Sequence, residues 1–273
     1  MASVSERAGA PGGGPAVPAD SLVEARGLVK TFDAVRALQG LTVTVPRGEI
    51  TALVGDNGAG KSTLIRCLTG VDAPDAGEIV FDGSPIHLDS PARARRRGIE
   101  TVYQDLALVE DLRVWQNLFL NRELRYGPLR LGLLDRRRMI EESRQILARL
   151  EVDVPSVRAT VRRMSGGQRQ CVAIARAVTW GRSLVIMDEP TAALGVRETH
   201  AVERLVLRLK ERGVTVLIIS HDLDQVLRIA DGVWVLRRGR AVGYRRIAAT
   251  GGDELVGLIT GAIAGDGGAT APA

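Results

Sequence analysis

Nine consecutive residues, Gly55-Asp56-Asn57-Gly58-Ala59-Gly60-Lys61-Ser62-Thr63, match the pattern G-x-x-x-x-G-K-[ST]. The order suits one task, the holding of a polyphosphate. Glycines let the main chain wrap closely around phosphate oxygens. The loop N–H groups and the start of the following helix supply positive potential. Lys61 is placed to reach the β- and γ-phosphates, and the Ser62 hydroxyl to reach Mg²⁺. The apolar stretch Glu49–Val54 before the loop and the helical pattern Lys61–Leu68 after it give the required strand–loop–helix setting. The alternative is a chance glycine-rich turn, which leaves the joint register of Gly58, Gly60, Lys61 and Ser62 unexplained. Alone, the motif specifies only a nucleoside triphosphate.

A second constellation follows an apolar run, Leu184-Val185-Ile186-Met187-Asp188-Glu189. A carboxylate at the C-terminal end of a buried strand, beside a phosphate loop, can hold Mg²⁺ directly or through water. The next carboxylate, Glu189, can polarise an attacking water as general base. Without the phosphate loop, the same pair would read as ordinary surface acids.

The third is Met164-Ser165-Gly166-Gly167-Gln168-Arg169-Gln170, ahead of an apolar-periodic helix. Ser165 as N-cap and Gln168 three residues on fit a helix capping box. The segment also resembles the signature of the ABC ATPases, usually written LSGGQ. The two readings are compatible, because a glycine-bearing helix N-terminus can cap itself or hold a γ-phosphate.

The family's other stations match as well. By resemblance, Gln104 in Val102-Tyr103-Gln104-Asp105 corresponds to the glutamine that contacts Mg²⁺ and couples to a helical lobe. His221 in Ile219-Ser220-His221-Asp222 corresponds to the histidine that holds the γ-phosphate and attacking water. Phe32 lies where the family places an aromatic that stacks on adenine; a core position fits Phe32 as well. The resemblance covers about residues 22–262. It is closer to ATP-binding subunits of bacterial carbohydrate importers over Gly98–Leu106, Asn117–Glu123 and Pro190–Val196. The ribose/xylose/fructose branch often fuses two such units, and this chain carries one. Two positions depart from the pattern. Gly195 stands where an aspartate usually helps join two subunits, and Met164 replaces a leucine of similar volume.

The resemblance implies ATP and Mg²⁺ as cofactors, with Glu189, His221 and Lys61 in catalysis and Ser62, Gln104 and Asp188 at the metal. It implies a head-to-tail homodimer, each ATP lying between Gly55–Thr63 of one copy and Ser165–Gln168 of the other. It also implies a membrane permease as partner and, indirectly, a periplasmic or lipid-anchored sugar-binding protein. The expected location is the cytoplasmic face of the membrane. One rival is a soluble, non-transport ABC ATPase acting on ribosomes or DNA. Such proteins generally carry two units or long coiled-coil insertions, which this sequence lacks. Another is a small-molecule kinase, which would leave Ser165–Gln168 and His221 without a role.

Elements must position these residues. From Ser165 onward, helices to about Val178, over Arg197–Arg212 and over Leu223–Ala230 alternate with strands at Ser183–Met187 and Val214–Ile219. Such alternation predicts a mostly parallel sheet covered on both faces. Hairpins are expected at Asp82-Gly83 and Arg238-Gly239. Leu22–Val45 alternates like strands, and Ser90–Leu150 reads as mostly helical, with Ser90-Pro91 and Asp135 opening helices. The fold class is therefore α/β: a phosphate-loop NTPase of ABC type with an antiparallel β subdomain and a helical subdomain at about 90–165. The folded unit spans 21–262, with tails 1–20 and 263–273 too poor in core-forming residues to order.

The 273 residues, 45% hydrophobic, are enough for this core. No apolar run approaches the ~20 residues that span a bilayer, and no leader pattern opens the chain. Cys67 and Cys171 read as buried small hydrophobes. His87 and His200 match no motif and read as surface or satisfied polar residues. The net charge of +5 does not point to nucleic acid. The cations are almost all arginine, with lysine only at positions 30, 61 and 210, and the skew runs through the whole chain. The clusters Arg93, Arg95–Arg97 and Arg136–Arg138 read as solvated faces, with a partner-binding surface as the alternative.

Overall fold

The computed structural model describes residues 20–127, 132–181, 183–192 and 194–265. The tails expected to lack order lie almost wholly outside the described residues.

Among the described residues ten strands form two sheets. In the smaller, β1 (Ser21–Phe32) pairs antiparallel with β2 (Val35–Pro46) and with β4 (Ala76–Phe81), and β4 pairs with β5 (Ser84–Ile86). The larger has the order β10-β9-β3-β8-β7-β6. Its members are β3 (Ile50–Val54), β6 (Ile99–Val102), β7 (Leu184–Asp188), β8 (Thr215–Ile219), β9 (Gly232–Arg237) and β10 (Arg240–Arg246). All its pairings are parallel except β9 with β10, which form the hairpin at Arg238-Gly239.

The period of two along each strand sorts side chains into two cores. Val185, Met187, Val216, Ile218, Val233 and Val235 face a core built with the larger helices. Leu184, Ile186, Leu217, Ile219, Trp234 and Leu236 face the small sheet and α1 (Lys61–Leu68). Both faces being covered, β3 and β8 can be buried along their whole length, as expected of strands inside a parallel sheet. Cys67 and Cys171 are buried free thiols, each pushed up to about 11 by burial.

The segment Ser90–Leu150 is less helical than its composition suggests. It holds α2 (Pro91–Arg96), α3 (Val114–Leu118) and α4 (Arg136–Arg149), but also β6, the edge strand beside β7. Four residues are too few for periodicity to separate strand from helix, and pairing to β7 decides the outcome. Asp135 caps α4 by accepting from the Arg138 N–H at 3.0 Å. Ser90 instead bonds Asp89, and α2 starts on Pro91 without a side-chain cap.

The remaining helices are α5 (Gly166–Trp180), α6 (Val196–Glu211), α7 (Leu223–Ile229) and α8 (Gly252–Thr260). Among the described residues no helix is long and apolar enough to cross a membrane.

Candidate active site

The parallel strands deliver their C-terminal ends to one edge, where ligands of open α/β sheets bind. From β3 comes the phosphate loop, from β7 the pair Asp188 and Glu189, from β8 His221, and from β6 Gln104. Because β3, β8, β7 and β6 are consecutive in the sheet, segments far apart in sequence arrive at that edge. A cavity of about 540 Å³ is lined by Asn57–Thr63, Asp188 and Glu189 and by the start of β2.

The loop cannot spread. A Cβ at Gly55 would stand 2.2 Å from the Leu236 carbonyl oxygen of β9, and its φ of 147° lies where side chains are strained. The Lys61 ammonium donates to the main-chain oxygens of Gly55 and Asp56, the latter at 3.0 Å. Burial pulls the Lys61 pKa down, against the opposing pull of Glu189, Asp56 and Asp188. Asp188 is pushed up, first by burial and then by Glu189, with Lys61 opposing. A cation brought beside Asp188 would reverse that shift.

Glu189 holds a left-handed main chain, φ 48°, fixed by its N–H donating to the Ile219 oxygen at 3.0 Å. Non-glycine residues in that region carry strain that the surroundings must hold. Its carboxylate lies 3.2 Å from His221 Nδ1. The carboxylate is a base, and the imidazole beside it can share a proton or hold an oxygen.

The donor set Ser62, Asp188 and Gln104 is all oxygen, which suits Mg²⁺. Among the described residues no group of three or more His, Cys, Asp or Glu is placed to cage a metal. An ion bound through one or two side chains and substrate phosphates fits such a site. Gln104 is exposed and, like Gly55, Asp56 and His221, is not among the residues lining the cavity. Phe32 is 38% exposed, which removes the core alternative, and the Lys30 ammonium lies 5.6 Å from its ring centroid. Its strand partner Val35 lines the cavity where Phe32 does not.

Ser165, Gly166, Gly167 and Gln168 stand elsewhere. Ser165 Oγ accepts from the Gln168 N–H at 3.3 Å, and Gln168 Oε1 accepts from the Ser165 N–H at 3.2 Å. The capping box is therefore formed. Ser165, Gly167 and Gln168 line a different cavity, walled by α6 and by Glu151–Asp153. Glu198 packs on Gly167 and accepts from the Gly195 N–H at 3.2 Å. Its pKa is held down by the Ser165 hydroxyl first, then by the Gly195 and Gly167 N–H groups.

Two positioning residues carry no motif. Gln225 is fully buried. It accepts from the Ser220 hydroxyl at 3.1 Å and donates to Thr191 Oγ at 2.8 Å, tying the His221 loop to the turn after Glu189. Arg176 on α5 donates to the main-chain oxygens of Leu106 (3.0 Å) and Ala107 (2.8 Å), just beyond Gln104. A polar residue inside an apolar helical pattern is the only sequence signal for either. His200 pairs with Glu203 at 3.0 Å, and His87 is exposed.

Several known proteins resemble this chain. The family model described as ABC transporter matches residues 38–192. The chain is 44% identical over 239 residues to the xylose/arabinose import ATP-binding protein of Sulfolobus acidocaldarius, covering 88% of this chain and 94% of that one. It is 47% identical over 240 residues to a ribose import ATP-binding protein of Rubrobacter xylanophilus, covering 88% of this chain but 47% of that protein. The crystal structure of a nucleotide-free ATP-binding cassette from an ABC transporter superposes with a TM-score of 0.74 at 28% identity, covering 88% of this chain and 95% of that one.

Proposed function

This chain belongs to the ABC transporter family, as one of its ATP-binding, ATP-hydrolysing subunits, and on that premise we propose that it energises sugar uptake through a separate membrane permease. The xylose/arabinose and ribose import names of its relatives support the substrate class. No residue described above would touch a sugar. Specificity would reside in the permease and in a periplasmic or lipid-anchored binding protein, and the subunit would sit at the cytoplasmic face of the membrane.

One observation carries the mechanism. Within a single chain, Ser165, Gly167 and Gln168 line one cavity and Asn57–Thr63 of the phosphate loop line another. The helix N-terminus at Ser165 would then serve a nucleotide held by a second copy. Two copies in a head-to-tail arrangement about a two-fold axis satisfy this symmetrically. The γ-phosphate would be bonded from both sides, by Lys61 of one copy and by the N–H groups of the other.

In hydrolysis, Lys61 and the loop N–H groups would stabilise charge on the transferred phosphoryl group. Ser62, Asp188 and Gln104 would hold Mg²⁺, which when bound neutralises the phosphate oxygens. Glu189 would take the proton of the attacking water, with His221 fixing that water's position. Loss of the γ-phosphate removes the bridge between copies, and the dimer opens. The segment from Gln104 to Glu123 would pass this motion to cytoplasmic loops of the permease.

Co-purification followed by reconstitution tests the proposal. The chain should bring down a polytopic membrane protein, and ATP turnover of the complex should rise with a pentose-loaded binding protein. Turnover stimulated instead by ribosomes or DNA would establish the non-transport reading.

A further inference from the structure

The β9–β10 turn is pinned to the phosphate loop. The Gly239 N–H donates to the Ala59 oxygen at 2.9 Å, and the Gly239 oxygen accepts from the Gln39 N–H at 2.9 Å. A Cβ at Gly239 would lie 2.6 Å from the Ala37 oxygen. With Gly55 pressed on Leu236, the hairpin, β2 and the loop form one tight block.

Arg238 is carried at the tip of this block, in a left-handed conformation with φ 48°. It lines the same cavity as Asn57–Thr63, as does Arg36 from β2. Among the described residues neither guanidinium has a hydrogen-bond or ion-pair partner, although pairing is common for the arginines of this chain. The sheet order places them on a particular side. β9, which leads into Arg238, flanks β3 on one side; β8 and then β7, which ends at Asp188 and leads into Glu189, flank it on the other. Cations thus stand on one flank of the loop and carboxylates on the other.

We propose that Arg238, together with Arg36, is a nucleotide-binding residue that contacts the phosphate chain at its ribose-proximal end. The acidic flank with Ser62 fixes the end where metal and γ-phosphate belong. Two free guanidiniums on the opposite flank match the remaining anionic oxygens in charge and in their forked donor geometry. The turn supplies the rigidity, since a side chain mounted on a pinned hairpin loses little freedom on binding. This rests on the loop being the ATP site.

The test is a fluorescence titration of the purified chain with a fluorescent ADP analogue, competed by ATP, ADP and adenosine. Arg238→Asn keeps the left-handed turn, which asparagine adopts readily. It should weaken ATP and ADP by about five- to tenfold, the value of one charge-assisted contact at a partly solvated rim. The loss should shrink at high salt, leave adenosine competition unchanged and be largely recovered by Arg238→Lys. Arg36→Gln should weaken the same ligands. ADP affinity within twofold of the parent for Arg238→Asn at low salt would overturn the proposal, as would an equal loss for adenosine. A parent chain that binds no ADP, or binds it equally well as Lys61→Ala, would instead overturn the loop assignment itself.

Discussion

The guanidinium of Arg176, towards the C-terminal end of the helix headed by Ser165, donates at 2.8 Å to the main-chain oxygen of Ala107, three residues past Gln104. A second bond to Leu106 closes a fork. Ala107 is itself left-handed, φ 49°, so the clasp holds a strained turn. It joins mechanically the element that would meet a neighbouring nucleotide to the segment that would meet the permease.

Replacing Arg176 by Gln should orphan both carbonyls, costing about 1–3 kcal/mol and lowering the melting temperature by some 2–4 °C per kcal/mol. Affinity for ADP should be unchanged, since Arg176 does not line the phosphate-loop cavity. ATP turnover in the permease complex should fall. If it falls only in proportion to the fraction unfolded, the clasp supports the fold and nothing more.

Glu189→Gln removes the proposed base and keeps the shape. Turnover should drop about 10²–10⁴-fold while ATP stays bound. Size-exclusion chromatography with ATP should then show a dimer. A strictly monomeric species under saturating ATP would contradict the shared site.

Asp188 gives a pH prediction. Its pKa is raised in the folded chain by burial and by Glu189, so the native state holds that proton more tightly than the unfolded one. By linkage, its contribution to stability falls as pH rises from the unfolded pKa through the folded one. Without nucleotide or divalent cation, Asp188→Asn should therefore melt above the parent at neutral pH. The difference should vanish in acid, below both values. Hydrolysis should be lost at every pH. A variant that melts lower at neutral pH would show that the carboxylate is net stabilising.

Gly55→Ala would put a methyl 2.2 Å from the Leu236 oxygen. Main chain cannot step aside cheaply, and overpacking of this kind costs about 1–3 kcal/mol. Nucleotide affinity should fall together with stability. Gly58→Ala meets nothing within 4 Å and should cost only its left-handed φ, about 1–2 kcal/mol. Thermal melts of the two variants separate contact from conformation.

Gln225→Leu breaks the bridge between Ser220 and Thr191 in a fully buried place. We expect about 1–3 kcal/mol of destabilisation and a kcat loss with KM for ATP little changed, because His221 and Glu189 lose their mutual registration. Steady-state kinetics at a temperature well below unfolding would read the split.

The sequence by itself determined the local chemistry. Contiguous motifs carry their own geometry: Gly55–Thr63 specifies its turn, Ser165 and Gln168 their capping box, Asp82-Gly83 and Arg238-Gly239 their hairpins. What only the tertiary structure decided is which of these pieces meet. β6 is a strand because β7 accepts it, and Arg238 faces the phosphate loop because β9 lies beside β3. Arg176 and Gln225 act on segments 70 and 34 residues away. Such contacts are set by sheet order and helix packing. They are sums over many weak, non-local terms, and no spacing along the chain records them.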